Sequence, residues 1–469
     1  MKMMSIQLSA TAVWLSLIFT LYLAPSHQGT ADLLSAVSLI SALAIIGLRR
    51  SGIMDGILPL APLLVLLIYA AGFDVIIGGE YSAVYVWELL LSFLPFLLLY
   101  VVFRNRGSSQ ASVLVAALFI IPGLVHLAYM YLDIFLAIQQ GEVPFATSSK
   151  HGFLEGIKES PRVGRRYVSM GLVNLLAGGI LVVNIFTHPR VRYWAWGLSG
   201  VSVLSLALLD ARAAYVSLFL GSIFLAGSLG VGRTWAAVKS VLGGSRWRKI
   251  AIVGLVVGAA TLGTSAGKSR WVAMTYSFKA AAHDVFDKSS NPATRPYIDK
   301  TYWSAPIENI DKCYLEGHFR CKVDQSAYLR MAWLLEGGRS LIEHPFGIGY
   351  SDDYMGRLRG LSGNEKTYQR NDSFLIENIV SFGVMGILVY VALLWGVART
   401  LVRAVEAKHV ARVTLVVVCG ILFVCAGRGL VDVLSLGLWR YVMALLGIYY
   451  GLLHSDMERV RSKWKKCKI

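Results

Sequence analysis

The 469-residue chain is 56% hydrophobic, with a mean hydropathy of +0.59 and only 16% charged residues, where a soluble protein carries roughly 25% charge. Long apolar runs recur through most of it, which argues against an ordinary soluble domain and indicates an all-α polytopic membrane protein. The formal net charge of +17 does not imply nucleic acid as a partner, because in such a chain basic excess belongs in cytoplasmic connections facing anionic headgroups.

The N-terminus opens with Met1-Lys2 and an apolar run to Ala24. That run is too long for a signal peptide and carries no small-x-small cleavage site before a soluble domain, so it reads as a retained first span. Twelve spans are predicted, near 6–24, 31–48, 57–77, 83–103, 111–137, 169–187, 194–210, 213–231, 250–266, 374–396, 412–430 and 436–454. Starting inside, the cytoplasmic connections are then Arg49-Arg50, Arg104 to Arg106, His188 to Arg192, Arg233 to Lys249, Arg399 to Arg412 and the tail from Glu458 to Lys468. Each is short and basic, as orientation by positive charge requires, and both termini fall in the cytoplasm. Four regions follow: 1–266 with nine spans and a smaller outer loop at 139–168, a large outer loop at 267–373, three further spans within 374–457, and a basic tail at 458–469.

The large loop is rich in aromatic residues, and its middle reads as irregular. A helix is predicted from Ser326 to Glu343 and is stopped by Pro345. Its apolar positions Ala327, Met331, Leu334, Leu335, Leu341 and Ile342 form a face able to pack on the bundle. The turn Phe346-Gly347-Ile348-Gly349 follows, and the chain re-enters an apolar span at Phe374. Gly347 and Gly349 permit backbone conformations that other residues resist, although an ordinary post-helix turn would use them as well. Cys313 and Cys321 lie close together in this loop and suit a disulfide on an oxidising exterior, the alternative being two free thiols.

Basic residues held outside work against orientation and suggest a local use. Arg162, Arg165 and Arg166 cluster just before a span. The planar fork of arginine suits paired hydrogen bonds to the phosphate oxygens of a lipid-linked diphosphate or a membrane lipid. A solvated loop is the plainer reading, since long loops translocate whatever their charge. Arg212 sits between two apolar spans with almost no loop, where an arginine faces a polar cavity or pairs with an acid such as Asp210. Arg428 and Asp432 make a similar pair at the last outer turn. Arg330 lies on the loop helix, and Asp352, Asp353 and Asp372 are acidic candidates for a general base. The loop histidines His283, His318 and His344 are scattered without ligand spacing, so no metal or other cofactor is expected. His344 before Pro345 also reads as a helix-end residue.

Three segments give the chain a resemblance to the O-antigen ligase and O-antigen polymerase superfamily of bacterial envelope glycosyltransferases. Asp210-Ala211-Arg212-Ala213-Ala214 is similar to the family's "Ser-Arg-small" start of a span. Arg330, Trp333 and His344-Pro345-Phe346-Gly347-Ile348-Gly349 resemble its "Arg…Trp…Pro-x-Gly-x-Gly" segment. Asn371-Asp372-Ser373-Phe374-Leu375, followed by Gly383 and Gly386, resembles its "His-Asn-Ser-Tyr-Leu…Gly-x-x-Gly" segment. The likeness is specific over about 330–390, moderate at Arg212 and architectural elsewhere.

The resemblance implies a GT-C-like, inverting, metal-independent transfer of a glycan from an undecaprenyl diphosphate-linked donor on the periplasmic face of the inner membrane. The acceptor is lipid A-core oligosaccharide in a ligase and a second lipid-linked glycan in a polymerase. By position, Arg212 and Arg330 hold the diphosphate as leaving group. Trp333, Gly347, Gly349, Arg370, Asn371 and Arg428 join Arg162, Arg165 and Arg166 as substrate-contact candidates. The family's histidine falls near 370–372, where this chain has Arg370-Asn371-Asp372. Asp372 or His344 is therefore the candidate base, unless the acceptor needs no strong base. The loop helix is expected to form a lid. A transporter or flippase for lipid-linked sugar is the reading from another class, although the polar residues gather in one outer loop and no half-to-half similarity is visible.

Overall fold

The computed structural model describes residues 82–104, 108–139, 165–185, 188–208, 325–349, 374–406 and 436–466, with scattered helical positions within 61–72 and 275–286 and at Gly232. Among these residues every regular element is a helix and none is a strand. In chain order they are α1 (Ser82–Arg104), α2 (Ser108–Gln139), α3 (Arg165–Ile185), α4 (Pro189–Leu208), α5 (Gln325–Glu343), α6 (Phe374–Glu406) and α7 (Leu436–Lys466). Two stretches, Gln110–Leu136 in α2 and Leu375–Arg399 in α6, are long and apolar enough to cross a membrane.

Each helix covers a segment expected from the apolar pattern, and the differences lie at the ends. α3 begins at Arg165, so Arg165 and Arg166 occupy its first turn rather than the preceding loop. α6 continues to Glu406 and α7 to Lys466, well past the apolar runs. Hydropathy reports where hydrocarbon ends, whereas i→i−4 hydrogen bonding continues as long as the backbone allows it. α4 opens on Pro189, where the missing N–H is no loss, and Arg192 N donates to His188 O across its first turn (3.2 Å).

Glycines set the helix contacts. A Cβ on Gly451 would fall 2.7 Å from the Tyr100 carbonyl, and one on Gly447 would meet the Phe96 carbonyl, so α1 and α7 touch backbone to backbone. Lower down, the Tyr100 hydroxyl is 2.7 Å from His454 Nδ1. Residue numbers rise together along this contact, so α1 and α7 run parallel. α2 and α3 run antiparallel: Gly171 lies against His126, Gly123 against Leu175, and Gly178 against Ile120. Gly179 packs on Ala195 and Ser199 of α4 in the same way. Where surrounding lipid is as apolar as the side chains, close approach of this kind is a main source of helix association.

Two buried polar groups in this bundle were not marked by the sequence pattern. Tyr441 donates a 2.5 Å hydrogen bond to Asn174 Oδ1, joining α7 to α3. The adjacent Arg440 is 1% exposed. The run from Leu436 to Leu446 reads as an ordinary apolar span, and the aromatic neighbours Trp439 and Tyr441 make Arg440 look like a residue of the membrane boundary.

Candidate functional site

The site grows from the end of α5. This helix buries Ala332, Trp333, Glu336 and Ser340 on one face and exposes Leu334, Gly338 and Ile342 on the other. Trp333 packs with Ile376, Ile379 and Val380 of α6, and Leu341, Ile348, Leu375 and Ile387 close around them. Gly337 allows the two helices to approach, since a Cβ there would fall 2.7 Å from Ile376 Cγ2. Arg339 pairs with Glu343 (2.7 Å) and also donates to the Val285 carbonyl (3.0 Å), tying α5 to the helical positions within 275–286.

α5 ends where the sequence says it must. His344 N donates to Ser340 O (2.6 Å), and Pro345 then turns the chain. Gly347 N donates back to His344 O (2.9 Å), and Gly347 and Gly349 take φ of +84° and +85°. These left-handed conformations favour glycine. A Cβ on Gly347 would also collide with the Ser381 carbonyl, so both torsion and space exclude a side chain there.

α6 is broken opposite this turn. Gly383 leaves the helical region at φ 57° and ψ −135°. In a continuous helix Val384 N would donate to Val380 O and Met385 N to Ser381 O. Here Val384 N donates to Pro345 O (2.8 Å), Ile348 N takes over Val380 O (3.0 Å), and Gly349 N takes over Ser381 O (3.0 Å). The break and the turn thus satisfy each other's backbone groups, as irregular backbone away from water must. The Tyr69 hydroxyl donates to Phe346 O (2.8 Å), and its ring meets Phe382 edge-on at 6.4 Å, so a third segment closes on the junction.

Of the residues singled out from sequence, Trp333, Gly347 and Gly349 meet here, together with Pro345, Gly383 and Gly386. Trp333 is buried, and the glycines shape the turn and the break. His344 is exposed at the helix end, beside the turn. Arg330 lies in α5, and Arg165 and Arg166 lie in the first turn of α3. Arg162, Arg212, Arg370, Asn371, Asp372 and Arg428, and the Cys313 and Cys321 pair, lie outside the described residues. Glu336, 3% exposed, is a buried acid that the sequence reading passed over. Its spacing of three from Trp333 was the available signal. α5 is anchored at its lower end by the junction, so any lid motion must pivot there. No protein-family model matches the chain, and no curated protein matches it.

Proposed function

We propose that the chain is a polytopic inner-membrane glycosyltransferase, an O-antigen ligase that moves a glycan from undecaprenyl diphosphate to lipid A-core oligosaccharide on the periplasmic face. The observation that carries this reading is the junction. The motif residues Trp333, Pro345, Gly347, Gly349, Gly383 and Gly386, distant in sequence, gather into one unit. Residues that serve one site would assemble in this way. The twelve-span order is supported by helix direction. It requires the fourth and twelfth spans to run parallel and the fifth and sixth to run antiparallel, as α1/α7 and α2/α3 do.

In the proposed reaction an acceptor hydroxyl attacks the anomeric carbon. The bond from that carbon to the diphosphate oxygen breaks, undecaprenyl diphosphate leaves with the electron pair, and the configuration inverts. Arg212 and Arg330 neutralise the charge that grows on the leaving group. The height of Arg330 suits this role. α5 runs parallel to the first half of α6 with Gly337 abreast of Ile376, so Arg330, seven residues earlier, stands about 10 Å above that level, beyond the start of α6. For the acceptor proton the reading favours Asp372 over His344. Asp372 precedes the start of α6 by two residues, whereas His344 is level with the break.

Arg212→Ala and Arg330→Ala should each lower glycan transfer by about 10²–10³-fold while the protein remains inserted. Normal product from either variant would remove the diphosphate assignment, and full activity of Asp372→Asn would remove it as base. Lipopolysaccharide from a deletion strain should show core without O-antigen. Core bearing a single repeat unit would mean polymerase instead.

A further inference from the structure

The junction lies deep. Phe382 and Gly383 are eight and nine residues below the first residue of α6, which places them about 12–14 Å inside its outer end. The Tyr69 hydroxyl is hydrogen-bonded to the same turn. Residues 342–349 therefore descend to this depth beside α6 and turn back there, inside the stretch Leu375–Arg399 that is apolar enough to span a bilayer.

Much of the exposed surface at this level is apolar, with Glu343 and His344 exposed at the end of α5. α6 exposes Val384, Leu388, Val391 and Trp395, one ridge at helical spacing. Val384 is bonded to Pro345, and beside it Phe346 is 70% exposed and Ile342 84%. The ridge continues up α5 through Gly338 to Leu334. Arg339 and Glu343, the charged residues of the last turn and a half of α5, pair with each other, and Arg339 reaches the Val285 carbonyl.

We propose that the lower half of α5 and the turn at 344–349 form a re-entrant membrane segment, with Ile342 and Phe346 in contact with the acyl chains of the outer leaflet. The occupant follows from continuity. The apolar ridge of α6 would face acyl chains if α6 spans the bilayer, and the ridge on α5 is its extension at the same depth. This inference rests on the membrane-spanning reading but not on the glycosyltransferase assignment.

The test uses the full native chain reconstituted in phosphatidylcholine vesicles containing a phospholipid with a photoactivatable diazirine in its acyl chain. After irradiation and digestion, adducts are mapped by mass spectrometry. Adducts are expected on peptides covering 338–346 as well as on those covering 384–395. Labelling of 384–395 with none on 338–346 overturns the proposal and leaves the spanning reading of α6 intact. No labelling on either overturns both. As a second measurement, nitroxide labels at Ile342→Cys, Phe346→Cys and Leu388→Cys, in a chain with its native cysteines replaced, should collide more with oxygen than with an aqueous nickel complex. The reverse preference at positions 342 and 346 alone overturns the proposal.

Discussion

Gly347 and Gly338 stand nine residues apart and do opposite things. Gly347 has φ +84° and a carbonyl where its Cβ would be, whereas Gly338 is helical and open, with nothing within 4 Å. Forcing an L-residue into the left-handed region costs about 1–2 kcal/mol before any clash is counted. A glycine in an exposed helix is about 1 kcal/mol worse than alanine. Gly347→Ala should therefore lower the thermal midpoint of the purified protein, while Gly338→Ala leaves it unchanged or raises it. Equal midpoints for the two variants would show that the turn is not held as described. Gly347 and Gly349 are legible as turn residues because they follow Pro345. Nothing local in sequence signals that the N–H groups of Ile348 and Gly349 meet the carbonyls of a broken helix. Arg440 and Glu336 escaped notice for a related reason. Burial depends on what lies across from a residue, and neither of their neighbourhoods is local in sequence.

At the scale of elements, glycine is a contact residue more than a turn residue. Gly171 lies so close to α2 that a Cβ would fall 2.5 Å from His126 Cγ. His126 is held in place by its Nδ1 bond to the Pro122 carbonyl (2.8 Å). Gly171→Val should therefore separate α2 from α3 and destabilise the protein by about 1–3 kcal/mol, the usual cost of overpacking. The measurement is the fraction that elutes as a single species in mild detergent, and an unchanged profile would contradict the close α2–α3 contact. The α5–α6 pair shows how far element boundaries can be read. α5 was expected at 326–343 and occurs at Gln325–Glu343, because a proline stop and an apolar stripe are local signals. The interruption of α6 was not anticipated. Gly383 in an apolar run looks like any small residue at a helix interface, and only the arriving turn makes a break there favourable.

For the whole molecule, the proposed orientation can be tested without any assay of activity. Alkaline phosphatase fused after Lys150 or Lys300 should be active and should be inactive after Lys466, while a green fluorescent protein fused after Ile469 should fluoresce. Phosphatase activity at Lys466 would reverse the orientation and move the arginine-bearing loops away from the periplasm. Composition, charge and the apolar pattern were enough to predict that the described elements are helices, to locate each of them though not the far ends of α6 and α7, which run ten and twelve residues past the expected spans, and to propose which connections lie inside. These are properties of single segments against a solvent, and a segment's hydrophobicity does not depend on its neighbours. Helix pairing, the depth of the 344–349 turn and the exchange of hydrogen bonds at Gly383 are properties of pairs. They are set by which backbone approaches which, at distances where one Cβ is decisive, and that information exists only once the helices have packed. The loop that looked external in sequence acquires its depth there, from the bonds that Val380, Ser381 and Val384 make to it.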